Sequence, residues 1–217
     1  MTERVYLTIK RIIDLTGALV VGIIFLPFLL VIAVLIKLYD GGPVFADIPP
    51  RVGKDGIKFH LYKFRSMIEN AHNILREKPE YADLYEKYKR NSYKLAIEED
   101  PRITPIGRFI RKHSLDEFPQ LLNVIRGEMS LVGPRAYYPD ELEAQPKKFP
   151  HVKDLINEVL SVKPGVTGLW QVSGRNEIDF DERIKLDACY ASKKSLLFDL
   201  WILLKTPWVV ITGRGAE

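Results

Sequence analysis

The heptapeptide SLDEFPQ, Ser114 to Gln120, sets two carboxylates side by side, Asp116 and Glu117, just ahead of a proline and an amphipathic run. A helix that starts just after Asp116 keeps Pro119 in its first turn, where the missing N–H costs nothing, and leaves Asp116 at or beside the cap. Helix-start amides and the dipole favour the ionised form of such a carboxylate. An ionised carboxylate can attack phosphorus. Its neighbour can hold Mg2+, which takes one or two protein carboxylates and completes its shell with phosphate and water. The plainer alternative needs no chemistry: Ser114 with Glu117 three residues on matches a capping box.

Basic residues stand near turns elsewhere in the chain: Lys63 and Arg65 in YKFRSM, Arg108 and Arg111 just upstream of the pair, Arg135 in GPR and Arg175 in SGRN. Each by itself reads as a solvated surface charge. Arginine is the natural clamp for phosphate oxygens, and glycine- and proline-rich turns are where backbone comes close to a ligand. A fold that converges them on Asp116 and Glu117 would make a phosphoryl-transfer site.

Several elements have to do that positioning. Gly53–Gly56 reads as a tight turn between short strands, with Ile57, Phe59 and Leu61 alternating with Lys58, His60 and Tyr62, a small hairpin. The charged, tyrosine-rich stretch from Glu69 to about Lys94, broken at Pro79, reads as helices with solvated faces. An amphipathic helix is expected near Phe118–Arg126, and others over His151–Leu160 and Glu182–Tyr190. The tail from Ser195 is apolar but interrupted. Trp201, Trp208 and Lys205 suit a helix at the lipid headgroup level, and packing against a core is the alternative.

The N-terminal part is of another kind. Leu15 to Ile36 is 22 residues without a formal charge, about 33 Å as a straight helix against a bilayer core of roughly 30 Å. Pro27 divides it into arms of 12 and 9 residues, and either arm reaches only about half the core. Basic residues flank both ends: Arg4, Lys10 and Arg11 before, Lys37, Arg51 and Lys54 after. Because such residues prefer the cytoplasmic side, a helix–break–helix that enters and leaves by one face satisfies both flanks. A kinked single span is the alternative.

Composition bounds the rest. The chain of 217 residues carries 28% charged and 47% apolar residues and a net charge of +4. It is large enough for one domain plus an anchor, and mildly basic, which suits phosphate ligands or anionic lipid and establishes neither. The single Cys189 excludes an internal disulfide, and four scattered His residues give no zinc spacing. Basic residues without an aromatic stacking pattern argue against nucleic-acid binding.

Taken together, KRIID (Lys10–Asp14), the proline-broken apolar run, DGGPVF, RVGKDG, YKFRSM, the long block from DPRITPIG through SLDEFPQ to LVGPR, and KPGVTGLWQVSGRN resemble the monotopic polyprenyl-phosphate phosphoglycosyl transferases among the bacterial sugar transferases. The likeness covers nearly the whole chain. The insert between Met67 and Asp100 and the closing FDLWILLKT look most like the undecaprenyl-phosphate galactose/glucose phosphotransferase branch. Fuller members of that branch have further N-terminal spans and a further domain, so this chain looks like the catalytic core.

The resemblance implies an α+β, mostly helical fold: a re-entrant anchor over residues 1–39 with Pro27 at its break, and a cytoplasmic catalytic domain over 40–217 with a small hairpin and interfacial helices. It implies Asp116 as covalent nucleophile, Glu117 as catalytic partner and Mg2+ ligand, and Lys63, Arg65, Arg111, Arg135, Gln171 and Arg175 as substrate-binding residues. The implied reaction moves a hexose-1-phosphate from a UDP-sugar to undecaprenyl phosphate at the cytoplasmic face of the inner membrane. That is the first membrane step of exopolysaccharide, capsule or O-antigen synthesis. A homodimer is compatible with it. An N-acetylated donor, or a non-catalytic membrane scaffold, are the alternatives. Departures from the family pattern are Leu26 where serine is frequent before the proline, Pro49 where glutamine is usual, and Ala136 after GPR. Asp14 is expected near the headgroups, paired with Lys10 or Arg11, since placing it mid-bilayer costs roughly 2.5–3.5 kcal/mol.

Overall fold

The apolar N-terminal run is part of one long helix. The computed structural model describes residues 2–91, 95–175 and 178–212. Its first element, α1, runs from Glu3 to Asp40, 38 residues, about 57 Å at helical rise. Gly41 ends it with φ 74° and an amide bonded to the carbonyl of Lys37, a left-handed cap that glycine adopts without a Cβ clash. Helical conformation continues through Pro27, so the expected division into two arms is not a gap in the helix, although proline deprives one carbonyl of its partner.

The best 18-residue window of α1 has a mean hydropathy of 3.3, yet only 11% of it is buried. A narrow stripe does the packing. Ala18 and Val21 meet Leu121, Val124 and Met129, while Ile32 and Ile36 meet Phe64 and Ile110. Each fully buried aliphatic side chain of this size contributes about 1.5–3 kcal/mol. The remaining face, from Ile12 through Ile23 and Ile24 to Leu38, is exposed.

Polar contacts fix the N-terminal part of α1. Lys10 Nζ lies 2.9 Å from Asp199 and 3.7 Å from Asp14, and Tyr6 donates to Asp199. Asp14, 4% exposed, accepts from the Ser130 hydroxyl and the Leu131 amide, so the expected pairing with Lys10 forms. Arg11 turns instead to the carbonyls of Val124 and Ile125, satisfying the C-terminal end of another helix.

The expected hairpin is present: β1 (Arg51–Val52) pairs antiparallel with β2 (Lys58–Phe59), Arg51 opposite Phe59. Phe59 and Leu61 are buried as the alternation requires, but Ile57 is 70% exposed. It caps the 3-10 turn Lys54–Gly56, and the alternation begins only after it.

The tyrosine-rich stretch folds as α2 (Ala71–Glu77) and, after a 3-10 turn begun by Pro79, α3 (Ala82–Arg90). The expected end near Lys94 lies outside the described residues. Then come α4 (Pro105–Lys112) and α5 (Gln120–Arg126).

A second strand pair had no counterpart in the sequence reading. β3 (Ser130–Val132) runs parallel to β4 (Gly165–Thr167). Its tightest point needs glycine, because a Cβ on Gly165 would stand 2.0 Å from the Gly133 nitrogen.

Between these strands lie α6 (Pro139–Lys148) and α7 (Lys153–Leu160); α8 (Leu169–Ser173), α9 (Phe180–Lys193) and α10 (Leu196–Thr212) follow. α7 and α9 enclose Val152, Val159, Phe180, Ile184 and Ala188 around Tyr137. Ile202 of α10 packs on Val132, Leu169 and Tyr190, with Cys189 beside them as a small apolar residue. Leu197, Leu204 and Trp208 of α10 remain exposed. The core-packing reading therefore holds for one face of α10 and leaves the other apolar face open.

Candidate active site

Asp116 and Glu117 sit in a 3-10 turn, Leu115–Glu117, between α4 and α5. The helix starts later than the spacing suggested. Pro119, which has no N–H to donate, is the cap of α5, and Asp116 stands one short turn ahead of it. The capping box does not form. The Ser114 hydroxyl accepts from Arg175 Nη2 at 2.5 Å, and Glu117 Oε1 lies 3.2 Å from Lys63 Nζ. Ser114 adopts φ 54°, a conformation costly for a side-chain-bearing residue and found where a site over-determines the backbone.

One segment fastens Asp116 twice. The Phe64 amide donates to the Asp116 carbonyl at 2.9 Å, and Lys63 Nζ lies 2.8 Å from Asp116 Oδ2. Residues 63–65 are held in turn by residues 44–46, through Ala46 N–H to the Lys63 carbonyl and Arg65 N–H to the Val44 carbonyl. Asp116 is 2% exposed, whereas the Glu117 side chain is 31% and that of Lys63 24% exposed. Lys63 thus bridges a buried and a half-open carboxylate. Burial alone would lower the lysine's pKa, but Asp116 and Glu117 outweigh it and raise it. Burial alone would raise Glu117, but Lys63 and then Arg175 hold its carboxyl below the ordinary range.

A cleft of about 710 Å³ opens over this pair, within the usual range for small-molecule sites. Lys63, Arg65, Arg111, Arg135, Gln171 and Arg175 all line it with Asp116 and Glu117. Arg108 does not: it lies on the exposed side of α4. Pro27 lies on the exposed face of α1, away from the cleft, and Asn176 of SGRN is outside the described residues.

The basic residues are held differently. Arg111 Nε, Arg135 Nε and Arg175 Nη1 are buried without a hydrogen-bond partner, as are the Trp170 indole nitrogen and Gln171 Oε1. Unpaired buried donors are costly and mark places a ligand can satisfy. Arg135 stands over the Trp170 ring, 5.2 Å from its centroid. Arg65 Nε is likewise unpaired, but the tip of its guanidinium is engaged. Both of its terminal nitrogens bond to Asp40 at the end of α1, Nη1 at 3.0 Å. A Cβ on Gly42 would fall 2.4 Å from that Nη1, so the DGG turn admits the guanidinium only as glycine. Through Arg65 and Lys63 the end of α1 is mechanically joined to Asp116.

Asp187 was not legible as part of this site. Its Oδ2 accepts the Arg135 amide at 3.0 Å and the Tyr137 hydroxyl at 2.7 Å. Burial pushes its carboxyl up to about 7. It fixes the turn that carries Arg135. The sequence signal was faint: Asp187 and Arg183 sit four apart on α9, and Arg183 pairs with Glu141 at 3.2 Å, both fully buried.

Among the described residues no three His, Cys, Asp or Glu side chains converge as a metal cage. Mg2+ does not need one. Glu117 turns a partly open carboxylate to the cleft with one oxygen on Lys63, and that donor set fits a cation completed by phosphate and water.

The family model described as bacterial sugar transferase matches residues 5–213. The chain is 43% identical over 208 residues to the UDP-galactose-lipid carrier transferase of Erwinia amylovora, covering 96% of this chain and 41% of that protein. It is 42% identical to the undecaprenyl-phosphate galactose phosphotransferase of Salmonella typhimurium, with coverage of 96% and 41%. It is 41% identical to the exopolysaccharide production protein ExoY of Rhizobium meliloti, covering 95% of this chain and 87% of that one. The chain therefore spans about two fifths of the first two relatives and most of the third.

Proposed function

The chain belongs to the bacterial sugar transferase family, and we propose that it transfers a hexose-1-phosphate from a UDP-hexose, galactose or glucose, to undecaprenyl phosphate. The observation that carries this is the turn holding Asp116 and Glu117 on one lysine, Nζ 2.8 Å and 3.2 Å away, under a cleft with unpaired arginine nitrogens.

In the first step a carboxylate oxygen of Asp116 bonds to the sugar-linked phosphorus. The bond from that phosphorus to the bridging oxygen breaks, and UMP leaves with the electron pair. In the second step a terminal oxygen of the polyprenyl phosphate attacks the same phosphorus and displaces Asp116, which regains its charge. One phosphoanhydride is broken and one is made, so catalysis rests on positioning and electrostatics. Lys63 keeps Asp116 oriented. Arg111, Arg135 and Arg175 take phosphoryl oxygens as charge moves onto them. A divalent cation held by Glu117 would neutralise the charge that builds on the phosphate of the departing UMP.

The anchor is read as monotopic, with both ends of α1 on the cytoplasmic face of the inner membrane and Pro27 at its deepest point. Support comes from its two ends. Lys10 and Asp14 are tied to Asp199 and Ser130, and Asp40 to Arg65. A crossing helix puts about 30 Å of hydrocarbon between its ends, and one water-facing body does not grip both. The open apolar face of α10 rests on the same leaflet, with Trp201 and Trp208 at the headgroups. On this reading the anchor gives way to the catalytic portion near residue 40.

Incubating the protein with Mg2+ and a panel of UDP-sugars, hexoses and N-acetylated hexosamines alike, tests the reaction. UMP release with UDP-galactose or UDP-glucose, and a lipid-linked product when undecaprenyl phosphate is present, is expected. No UMP from any donor contradicts it. Single cysteines placed near residues 3 and 40 test the anchor: both react with an impermeant reagent from the cytoplasmic side, and reaction from opposite sides contradicts the monotopic reading.

A further inference from the structure

The cleft is larger than the ring of cations around Asp116, and its far lobe has another chemistry. There Arg51, Tyr138, His72 and Leu75 of α2, and Leu95 line the cleft. We infer that this lobe receives the nucleoside end of the donor. The inference rests on the reading that the donor is a UDP-sugar, and it adds residues that the motif reading did not select.

Charge separates the two ends. Near Asp116 the cations outnumber the carboxylates. In the far lobe Arg102 is cancelled by Asp100, with bonds of 2.6 Å and 2.8 Å. Arg51 is 7% exposed, lies 3.2 Å from the Tyr138 ring centroid and donates to the Ala136 carbonyl. Its Nε has no partner, and neither has His72 Nε2. The His72 ring stands 6.1 Å from that of Tyr138. Burial, and then the nearby Arg76, lower its pKa to about 4, so the ring is neutral at physiological pH, with one nitrogen to donate and one to accept. Aromatic faces, apolar Leu75 and Leu95 and the neutral His72 ring suit a planar base with its own donors and acceptors, and the single guanidinium of Arg51 can donate to a base carbonyl.

Position agrees with chemistry. Tyr138 lies three residues beyond Arg135, at most about 10 Å along the chain, and Tyr137 between them is bridged to Val52. Arg135 is close enough to Glu117 to be influenced by its charge. The hexose is one oxygen away from the phosphorus that Asp116 attacks and must stay beside it. The base is separated from that phosphorus by a second phosphate and a ribose, and is the part that reaches the lobe.

UMP carries the nucleoside without the hexose and is the probe. Its binding is measured by calorimetry on the full chain in nanodiscs with Mg2+, for the parent, His72→Phe and Arg51→Lys, with thermal melting of each. His72 is half-buried beside an aromatic ring, so His72→Phe narrows the lobe without touching the buried Arg51. Both variants are expected to weaken UMP about tenfold and to raise the KM for the UDP-sugar by the same factor. The ranking of donors in the panel stays as in the parent. Unchanged UMP affinity in His72→Phe, with melting as in the parent, overturns the assignment. A changed donor ranking alongside that unchanged affinity gives the lobe to the hexose instead. A parent that neither binds UMP nor releases it from any donor overturns the transferase reading itself.

Discussion

Two clusters of buried charge line the same cleft and differ in what each leaves over. Arg102 and Asp100 close on each other through two short bonds, Arg102 also donates to the Ala71 carbonyl, and both side chains are 5% exposed or less. Lys63, Asp116 and Glu117 make an open cluster, one ammonium serving two carboxylates of which Glu117 is partly exposed. The closed pair spends its charges on each other and serves the fold. The open one has a carboxylate held in place but not consumed, which is what a nucleophile beside a cation site requires.

The comparison is broken most severely at Asp116. Asp116→Asn should lose about four orders of magnitude or more in UMP release, the scale seen when a nucleophile is removed, while its melting temperature stays within a few degrees of the parent. Steady-state UMP assays and calorimetry read the two separately.

Next is Lys63→Met, with an expected loss in kcat of about 10²–10³ and a change in pH profile. Lys63 and Arg175 hold Glu117 low against burial. Without Lys63 its pKa rises, and the acid limb of the rate profile moves to higher pH. In the parent, the stability from Glu117 is present above the unfolded value of about 4.3 and lost as pH falls through the lower folded one. That from Lys63 is present below about 10.4 and lost as pH rises through its raised folded value. The cluster is therefore intact through the neutral range, and an acid limb that stays put in Lys63→Met would separate Glu117 from the lysine.

Arg102→Met sharpens the other side. Removing one partner of a closed buried pair costs about 3–5 kcal/mol, a drop of about 10 °C in melting temperature for a chain of this size. Folded Arg102→Met at low temperature keeps kcat within a few-fold. A large kcat loss with unchanged melting would move Arg102 into the site. The smallest effect is expected at the anchor: Tyr6→Phe removes one bond to Asp199 and costs about 1 kcal/mol, read by denaturant unfolding.

What the sequence made legible was local. The Gly53–Gly56 turn, the Pro79 break, the Lys10–Asp14 pair four apart on a helix and the adjacent carboxylates of SLDEFPQ are all short-range patterns. What it concealed depends on distant partners. The capping box of Ser114 and Glu117 was a sound local reading, but Arg175 takes the serine and Lys63 the glutamate. Arg65 reads as a phosphate clamp and does line the cleft with its Nε unpaired, but no spacing shows that Asp40 holds its two terminal nitrogens. The parallel β3–β4 pair joins strands too short to show alternation, and only the glycines of GPR and KPG hinted at close backbone approach. Asp187 acts through the amide of Arg135, a relation that no spacing encodes.

The central claim is that Asp116 itself carries the phosphosugar between donor and acceptor. Intact-protein mass spectrometry after incubation with UDP-galactose or UDP-glucose and Mg2+, in the absence of lipid acceptor, tests it directly. The expected result is a mass gain of one hexose-phosphate, cleared by added undecaprenyl phosphate and mapped by peptide analysis to Asp116. UMP release from a protein whose mass never changes, or an adduct that persists in Asp116→Asn, would contradict it.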